Sequence, residues 1–491
     1  GLGNAIGALY QAKRGHSPLV VIGGDAGIRY QAMDAQMAGD LVAMAAPVTK
    51  WATMVMDAAS LLRVLRRAIK IAATPPMGPV YVCVPLDILD APAVETVQPT
   101  LIPSTQCLPD EALLQTAATL LVAAKTPMIF VGDGIAFANA QDELTRLAEQ
   151  LGAEVWGVDA GELNMSHTHP LYQGATGHMF GYQSLPILTK GDVNLVCGTY
   201  LLPEVFPELG HIFAANAKTI HIDLDMDSIA KNYPVDLGMI GNPKLTLARL
   251  ATLLDLMMTT EQREQAQLRR LAIAAEKESK RSHAIAMDQA KREETPLHFS
   301  RVAAELALQL PEDSIIFDEA LTCSPALTRY LPPSQPGHYF LTRGGSLGVA
   351  IPGAIGLQLA HPDKTVVAIT GDGGAMYTIQ TLWSAARHKI NAKFIICNNR
   401  SYRLLQLNVL AYWRDRQLPQ RDYPLSFDLS QPELHFDELA RSQGVAGIRV
   451  ERPDAIAPAI RQALDHQGPF LIDVVLEGDV RPEMVGLRCG Q

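Results

Sequence analysis

Residues 365–399 place a carboxylate and an amide where both could bind one metal ion. Asp372 stands in the run GDGG after an apolar stretch, and Asn399 follows a second apolar stretch. The segment predicts a strand, a turn, a helix and a second strand, and the carboxyl ends of two such parallel strands lie side by side. Oxygen ligands of this kind suit Mg²⁺, which usually shares its coordination with a phosphate. We therefore predict a magnesium site formed by these two side chains and a nearby backbone carbonyl.

The glycines of this turn, Gly371, Gly373 and Gly374, suit the approach of a diphosphate. Without side chains, the loop can bring backbone N–H groups and the start of a helix against an anionic ligand. A second Gly-Asp-Gly at 132–134 also follows an apolar stretch, but Ala160 occupies the position that corresponds to Asn399. We interpret that copy as an ordinary turn at a strand end, because the tripeptide alone is a weak signal.

The elements that must position these residues alternate along the chain. Short β-branched runs that end in Gly, Asn or Asp are separated by amphipathic stretches of helix length, which is typical of parallel sheets with helices on their faces. The predicted strands are 19–22, 80–84, 128–131, 154–158, 193–197, 219–224, 314–318, 365–370, 393–397 and 470–476. We predict an α/β fold of three doubly wound parallel-sheet domains. The expected segments are 1–94, a linker 95–109, 110–256, a charged linker helix 257–296, 297–480 and a tail 481–491.

The composition excludes several classes of protein. Its 491 residues are 48% hydrophobic and 19% charged, with 37 Gly and 32 Pro, which indicates a globular protein of roughly three domains. With 41 Lys+Arg against 51 Asp+Glu, the net charge of −10 argues against a nucleic-acid partner. Its six cysteines form no C-x-x-C pair, and no apolar run is long enough for a membrane span. We therefore expect no membrane partner and a cytoplasmic location.

Asp372 with its glycines, followed at this spacing by Asn398-Asn399, resembles the binding signature of thiamine-diphosphate-dependent enzymes. Further phrases resemble the branch that contains benzoylformate decarboxylase and acetolactate synthase. They are GNA at 3–5, HSPL at 16–19, PVTKW at 47–51, GPVY at 78–81, HIDLD at 221–225, GSLG at 345–348 and PGAIG at 352–356. The resemblance implies a pyrimidine-binding, a central and a diphosphate-binding domain, in that order.

The resemblance also implies roles for particular residues. The magnesium ligands would be Asp372, Asn399 and the backbone carbonyl of Ser401. Leu347 would wedge beneath the cofactor to bend it, and the carbonyl of Gly345 would accept its pyrimidine amino group. The remaining expected cofactor contacts are Thr322, Gly371, Gly373, Gly374 and Tyr402. Leu405 and Asn408 are predicted to line the substrate pocket.

Parts of the family pattern are missing from this sequence. The family has a glutamate on its first domain, whereas the first glutamate here is Glu95, so the resemblance places the catalytic residue upstream of Gly1 and leaves it unknown. The first domain is therefore expected to lack its leading strands. Residues 200–206 lack the histidine of benzoylformate decarboxylase, and residues 197–200 continue without the arginine of a flavin-binding phrase. FAD is not expected, and the glycine-rich loop at 174–180 is interpreted as a turn, with a site for an adenine nucleotide as the alternative.

The implied activity is thiamine-diphosphate-dependent cleavage or formation of a carbon–carbon bond next to a carbonyl. Decarboxylation of a 2-oxo acid is the favoured reaction, and an acetolactate synthase-like carboligase that forms acyloins is the alternative. The alternative of another class is a non-catalytic homologue that binds the cofactor. The expected partners are a small 2-oxo acid or aldehyde and further copies of the chain, as a dimer or tetramer.

Overall fold

The computed structural model describes residues 1–92 and 94–480. The predicted tail, residues 481–491, lies outside the described residues. The chain folds into two compact units. The first comprises residues 1–92, 94–107 and 343–346, and the second comprises residues 108–342 and 347–480. Within the described residues, no helix is both long and apolar enough to cross a membrane.

The first unit contains a small parallel sheet. Within residues 1–92 its strands are β1 (Leu19–Asp25), β2 (Trp51–Met54) and β3 (Pro79–Pro85), in the order β1-β3-β2. The helices are α1 (Leu2–Arg14), α2 (Leu41–Ala45), α3 (Leu61–Ala73) and α4 (Leu86–Leu89). Every residue of β3 is buried because the strand has a neighbour on both edges and helices against its faces. This is why its sequence is a continuous apolar run.

A second parallel sheet, in the other unit, is formed by residues 127–240, all of which are described. Its strands are β4 (Pro127–Val131), β5 (Glu154–Gly157), β6 (Tyr172–Ala175), β7 (Val193–Cys197), β8 (Lys218–Asp223) and β9 (Leu237–Ile240), in the order β6-β5-β4-β7-β8-β9. Its helices are α5 (Glu111–Ala123), α6 (Gly134–Phe137), α7 (Gln141–Leu151), α8 (Leu185–Leu188) and α9 (Pro243–Met257). The charge-rich segment that follows forms α10 (Thr260–Ala290), which begins with a capping box between Thr259 and Gln262.

The third parallel sheet is formed by residues 315–475, which are all described. Its strands are β10 (Ile315–Glu319), β11 (Tyr339–Leu341), β12 (Val366–Gly371), β13 (Lys393–Asn398), β14 (Ala446–Val450) and β15 (Phe470–Val475), in the order β11-β10-β12-β13-β15-β14. Its helices are α11 (Phe299–Gln309), α12 (Ser324–Tyr330), α13 (Ala350–Ala360), α14 (Asp372–Ala375), α15 (Thr381–Arg387), α16 (Arg403–Asp415), α17 (Phe436–Ser442) and α18 (Pro453–Asp465). Apolar clusters cover both faces of this sheet. The predicted α/β fold with three parallel-sheet domains is therefore confirmed, and the first sheet is small.

Candidate functional site

The carboxyl ends of β12 and β13 bring the predicted metal ligands together. The two strands are direct neighbours, and Gly371 lies opposite Cys397. Beyond these ends, the backbone N–H of Ser401 donates to Asp372 Oδ2 at 3.3 Å and to Asn399 Oδ1 at 3.0 Å. Two side-chain oxygens from different strands thus converge on one N–H group. The parallel register positions both oxygens at one edge of the sheet, as the spacing predicted.

The electrostatics of Asp372 suit a cation. The residue is 3% exposed, and burial raises the pKa of its carboxyl group to about 6, with a further contribution from Asp473. Backbone N–H groups of Gly373, Arg400 and Ser401 act in the opposite direction. A buried carboxylate with no cationic side chain among these contacts is poorly compensated, and a bound divalent cation would compensate it.

The donor atoms also fit magnesium in kind. Within the described residues, no group of three or more His, Cys, Asp or Glu is arranged to hold a metal ion. The predicted set is of a different kind, since it combines one carboxylate with an amide oxygen and a backbone carbonyl. The hydroxyl oxygen of Ser401 is buried without a hydrogen-bond partner, which adds a polar atom beside this set. These residues therefore fit a hard, oxygen-preferring cation.

The glycine turn is tightly packed on one side and open on the other. A Cβ atom on Gly373 would lie 2.4 Å from Tyr402 Cε1, and one on Gly374 would lie 2.9 Å from Thr370 Oγ1. A Cβ on Gly371 would meet no atom within 4 Å. The absence of side chains at Gly373 and Gly374 is thus required by the protein itself. At Gly371 it leaves space that a ligand can occupy.

Sequence reasoning missed a buried carboxylate beside this turn. Glu319, the last residue of β10, is 1% exposed. Its Oε1 accepts hydrogen bonds from the N–H groups of Gly348 (2.7 Å) and Val349 (3.1 Å). Its Oε2 accepts from the N–H of Ala350 (3.1 Å) and from Thr370 Oγ1 (2.9 Å). The only signal in the sequence was the acidic pair Asp318-Glu319 at the end of an apolar strand.

Thr322 lies three residues after the end of β10. It occupies a short 3₁₀ turn, Leu321–Cys323, and Leu321 has a left-handed backbone with φ of 50°. Such a backbone is unfavourable for leucine and persists where the surroundings fix it. Since Glu319 and Thr370 are opposite each other in the sheet, Thr322 follows the strand adjacent to the glycine turn.

Leu347 and Gly345 belong to different units. Leu347 is half-buried and precedes Gly348, whose carbonyl accepts a hydrogen bond from Thr378 Oγ1 at 2.7 Å. Gly345 belongs to the first unit, is exposed, and has a φ of 71° that favours glycine. Nothing lies within 4 Å of the position of its missing Cβ. Its backbone carbonyl therefore sits in an exposed turn.

The predicted substrate residues lie on α16, which begins directly after Tyr402. Leu405 is 41% exposed, and the buried Nδ2 of Asn408 has no hydrogen-bond partner. The two are three residues apart and so share one face of the helix. The start of the helix is fixed by Arg403, 5% exposed, which pairs with Glu477 at 2.9 Å. The face combines an apolar side chain with an unused amide donor.

Two sequence models of known protein families match this chain, and one of them covers the glycine turn. Residues 321–474 match the sequence model of the C-terminal TPP-binding domain of thiamine pyrophosphate enzymes, and residues 114–250 match the central domain of the same enzymes. The chain belongs to the thiamine pyrophosphate enzyme family. The first match spans β12, β13 and the glycine turn, which are the elements that bring Asp372 and Asn399 together.

Individual thiamine pyrophosphate enzymes resemble the chain over nearly its whole length. It is 29% identical over 479 residues to a benzoylformate decarboxylase of Pseudomonas aeruginosa, covering 96% of this chain and 85% of the relative. It is 26% identical over 499 residues to a probable acetolactate synthase large subunit of Methanococcus aeolicus, covering 99% and 81%. The solved thiamine diphosphate-dependent 4-hydroxybenzoylformate decarboxylase of Rhodococcus jostii RHA1 superposes with a TM-score of 0.82 at 25% identity, covering 98% and 86%. The predicted branch of the family is confirmed.

The other Gly-Asp-Gly turn, residues 132–134 in the central domain of this thiamine pyrophosphate enzyme, is tightly packed against neighbouring segments of the protein. Asp133 accepts hydrogen bonds from the N–H groups of Gly161 (2.9 Å) and Glu162 (3.1 Å). The N–H of Gly134 donates to the carbonyl of Gly198 at 3.0 Å, and a Cβ on Gly134 would lie 2.5 Å from the Gly198 Cα. The turn therefore has a structural role, which agrees with its interpretation from the sequence.

Proposed function

We propose that this thiamine-diphosphate-dependent enzyme decarboxylates a 2-oxo acid. The observation that carries the proposal is the convergence of Asp372 and Asn399 at the edge of β12 and β13, inside the region that matches the TPP-binding domain. The similarity to a benzoylformate decarboxylase over 96% of the chain supports this reaction. The comparable similarity to an acetolactate synthase supports a second candidate, the joining of two carbonyl compounds into an acyloin.

The residues at the strand ends would hold the cofactor's anionic end. Asp372, Asn399 Oδ1 and the carbonyl of Ser401 would bind Mg²⁺, which would supply positive charge for the anionic diphosphate. The turn of Gly371, Gly373 and Gly374 would face the same group with its backbone, while Thr322 would contribute a hydroxyl and Tyr402 a further contact. The burial of Asp372, which raises the pKa of its carboxyl group to about 6, supports this assignment because a bound cation would compensate the buried charge.

Other residues would position the reacting part. When bound, thiamine diphosphate supplies a carbon nucleophile that attacks the substrate carbonyl and an electron sink for the bond that breaks. Leu347 would hold the cofactor bent from below, and Gly345 would accept a hydrogen bond from its pyrimidine through the backbone carbonyl. Leu405 and Asn408 would contact the 2-oxo acid or aldehyde, the first through apolar packing and the second through its free N–H₂ group. We further propose self-association as a dimer or tetramer and a cytoplasmic location.

Product analysis tests the reaction. The full-length protein, with thiamine diphosphate and Mg²⁺, is incubated separately with pyruvate and with benzoylformate, and the products are separated. We expect the corresponding aldehyde and carbon dioxide from at least one substrate. An acyloin as the main product would replace the decarboxylase by the carboligase. No product from any 2-oxo acid would overturn both and favour a non-catalytic cofactor-binding protein.

Calorimetry tests the site independently of the reaction. We expect Asp372→Ala to abolish magnesium-dependent binding of thiamine diphosphate, because the variant lacks the carboxylate of the ligand set. Asp133→Ala is the matched control, since it removes the buried carboxylate of the other Gly-Asp-Gly turn. Unchanged affinity in Asp372→Ala would refute the metal assignment.

A further inference from the structure

We infer that Glu319 is a positioning residue for the cofactor site, and this inference rests on the proposed function. Its carboxylate holds residues 348–350, and with them Leu347, against the end of β12 where the glycine turn begins. Glu319 is the last residue of β10, the strand next to β12.

The hydrogen bonds of Glu319 join two segments that are distant in sequence. Each carboxylate oxygen accepts two hydrogen bonds, from the N–H groups of Gly348 and Val349 at Oε1 and from Ala350 N–H and Thr370 Oγ1 at Oε2. The three N–H groups lie at the start of α13, where a negative charge interacts favourably with the helix dipole. One side chain thereby fixes the spacing between the loop that carries Leu347 and the strand that leads into Asp372.

The surroundings of Gly348 leave this loop little freedom. Thr378 Oγ1 donates to the Gly348 carbonyl at 2.7 Å, while Glu319 accepts from its N–H. A Cβ on Gly348 would lie 2.5 Å from Tyr377 Cβ, and the residue has a φ of 88°. Gly348 is thus held from both sides of its peptide backbone. These contacts therefore also restrain the backbone of the preceding residue, Leu347.

Glu319 also lies behind the glycine turn. The missing Cβ of Gly374 would be 3.7 Å from Glu319 Oε2 and 2.9 Å from Thr370 Oγ1. The four hydrogen-bond donors of Glu319 are all neutral groups, so the buried charge has no cationic partner among them. Burial raises the pKa of this carboxyl group, and the hydrogen bonds oppose that shift. Burying this carboxylate costs free energy, and its hydrogen bonds to three backbone N–H groups offset that cost. Its role is therefore to orient these N–H groups.

Glu319→Gln tests the inference, because the amide keeps the size of the side chain but replaces one acceptor oxygen with a donor. Asp133→Asn is the matched control: Asp133 is also a buried carboxylate that accepts backbone N–H groups, but it lies in the central domain. Thr378→Val is the second variant, since it removes the hydrogen bond on the carbonyl side of Gly348. Each protein is made full-length and compared with the wild type.

The readouts are amide hydrogen exchange of residues 347–350 in the apoprotein and the dissociation constant of thiamine diphosphate at saturating Mg²⁺. We expect Glu319→Gln to accelerate exchange in this segment and to weaken cofactor binding about tenfold or more, with a smaller effect of the same sign in Thr378→Val. Asp133→Asn should leave both readouts unchanged, even where it lowers the melting temperature.

Wild-type exchange and affinity in Glu319→Gln, or an equal loss in Asp133→Asn, would overturn the positioning role while leaving the proposed function intact. Failure of the wild type to bind thiamine diphosphate would instead overturn the proposed function. If Glu319→Gln does not fold, the result for Thr378→Val decides. Wild-type exchange and affinity in that variant would then refute the inference.

Discussion

Replacement of Gly373 by alanine tests how tightly the glycine turn packs against Tyr402. The stability of the apoprotein reports on this packing, and the affinity for thiamine diphosphate reports on ligand binding. The new Cβ would lie 2.4 Å from Cε1 and 2.9 Å from Cδ1 of the Tyr402 ring. Ordinary contacts begin at 3.4 Å, so the ring or the turn must move by about 1 Å. The ring cannot simply swing away with its backbone, because the N–H of Tyr402 donates to the Phe427 carbonyl at 2.9 Å.

The magnitude follows from two opposing effects. Overpacking of this kind costs about 1–3 kcal/mol. Alanine is preferred to glycine in helices by roughly 0.5–1 kcal/mol, but α14 is a single short turn and gains little of this. We therefore expect Gly373→Ala to lower the free energy of unfolding of the apoprotein by about 1–2 kcal/mol. It should also weaken thiamine diphosphate binding at least tenfold, because the backbone that faces the ligand is displaced.

Gly371→Ala is the matched comparison. Its Cβ would meet no atom within 4 Å, and its φ of −76° is open to any residue. We expect the stability of the apoprotein to be unchanged within about 0.5 kcal/mol while cofactor affinity falls. Chemical denaturation and calorimetry on both variants provide the measurements. Equal stability of the two apoproteins would refute the packing argument, as would failure of Tyr402→Ala to restore stability in the Gly373→Ala background.

Three further predictions concern buried charge and the shape of the site. Burial raises the pKa of Asp223 from 3.8 to about 7, so the folded state holds this proton more tightly than the unfolded chain does. The free energy of unfolding should therefore fall as the pH rises from about 4 to 7. Asp223→Asn should therefore gain roughly 3 kcal/mol relative to the wild type between pH 4.5 and 7.5, measured by urea denaturation, and a constant difference would contradict this. Leu347→Ala should lower kcat about 100-fold, because the cofactor would lose the side chain that fixes its conformation. The free energy of unfolding of the apoprotein should fall by only about 1 kcal/mol, since the side chain is half-buried. An unchanged kcat would exclude the proposed role of Leu347 beneath the cofactor. Leu405→Ala should change the ratio of kcat/KM for benzoylformate and pyruvate, whereas Leu308→Ala, at another exposed leucine, should not; equal ratios in both variants would remove Leu405 from the pocket.

Most of the strands could be predicted from the sequence, and those that were missed share one physical property. Each of the ten predicted strands overlaps an observed one. The strands that were not predicted, β2, β6, β9, β11 and β14, all lie at the edges of their sheets. These five strands are less completely buried than the central ones, so their sequences need not be continuous apolar runs; β9, for example, has one buried residue, Met239. Central strands such as β13 are buried throughout and are recognised from their composition.

The proximity of Asp372 and Asn399 could be predicted because it depends on neighbouring strands of one βαβ unit. Asp372 and Asn399 each follow directly after a strand, and Ser401 is two residues further on, so the topology alone brings them together. Glu319 could not be found in this way. Its partners Gly348 and Thr370 lie 29 and 51 residues away, and the carboxylate reaches them only through the packing of α13 against the sheet.

The two Gly-Asp-Gly turns show why the tripeptide does not specify a ligand site. Both follow a buried parallel strand and both have a buried Asp, but both oxygens of Asp133 accept backbone N–H groups, from Gly161 and Glu162. Asp372 instead shares the N–H of Ser401 with Asn399 Oδ1. Two acceptors that share one donor retain lone pairs, and such a pair is suited to a cation. In the proposed assignment, the residue that follows the neighbouring strand would therefore distinguish a cation-binding turn from a structural one.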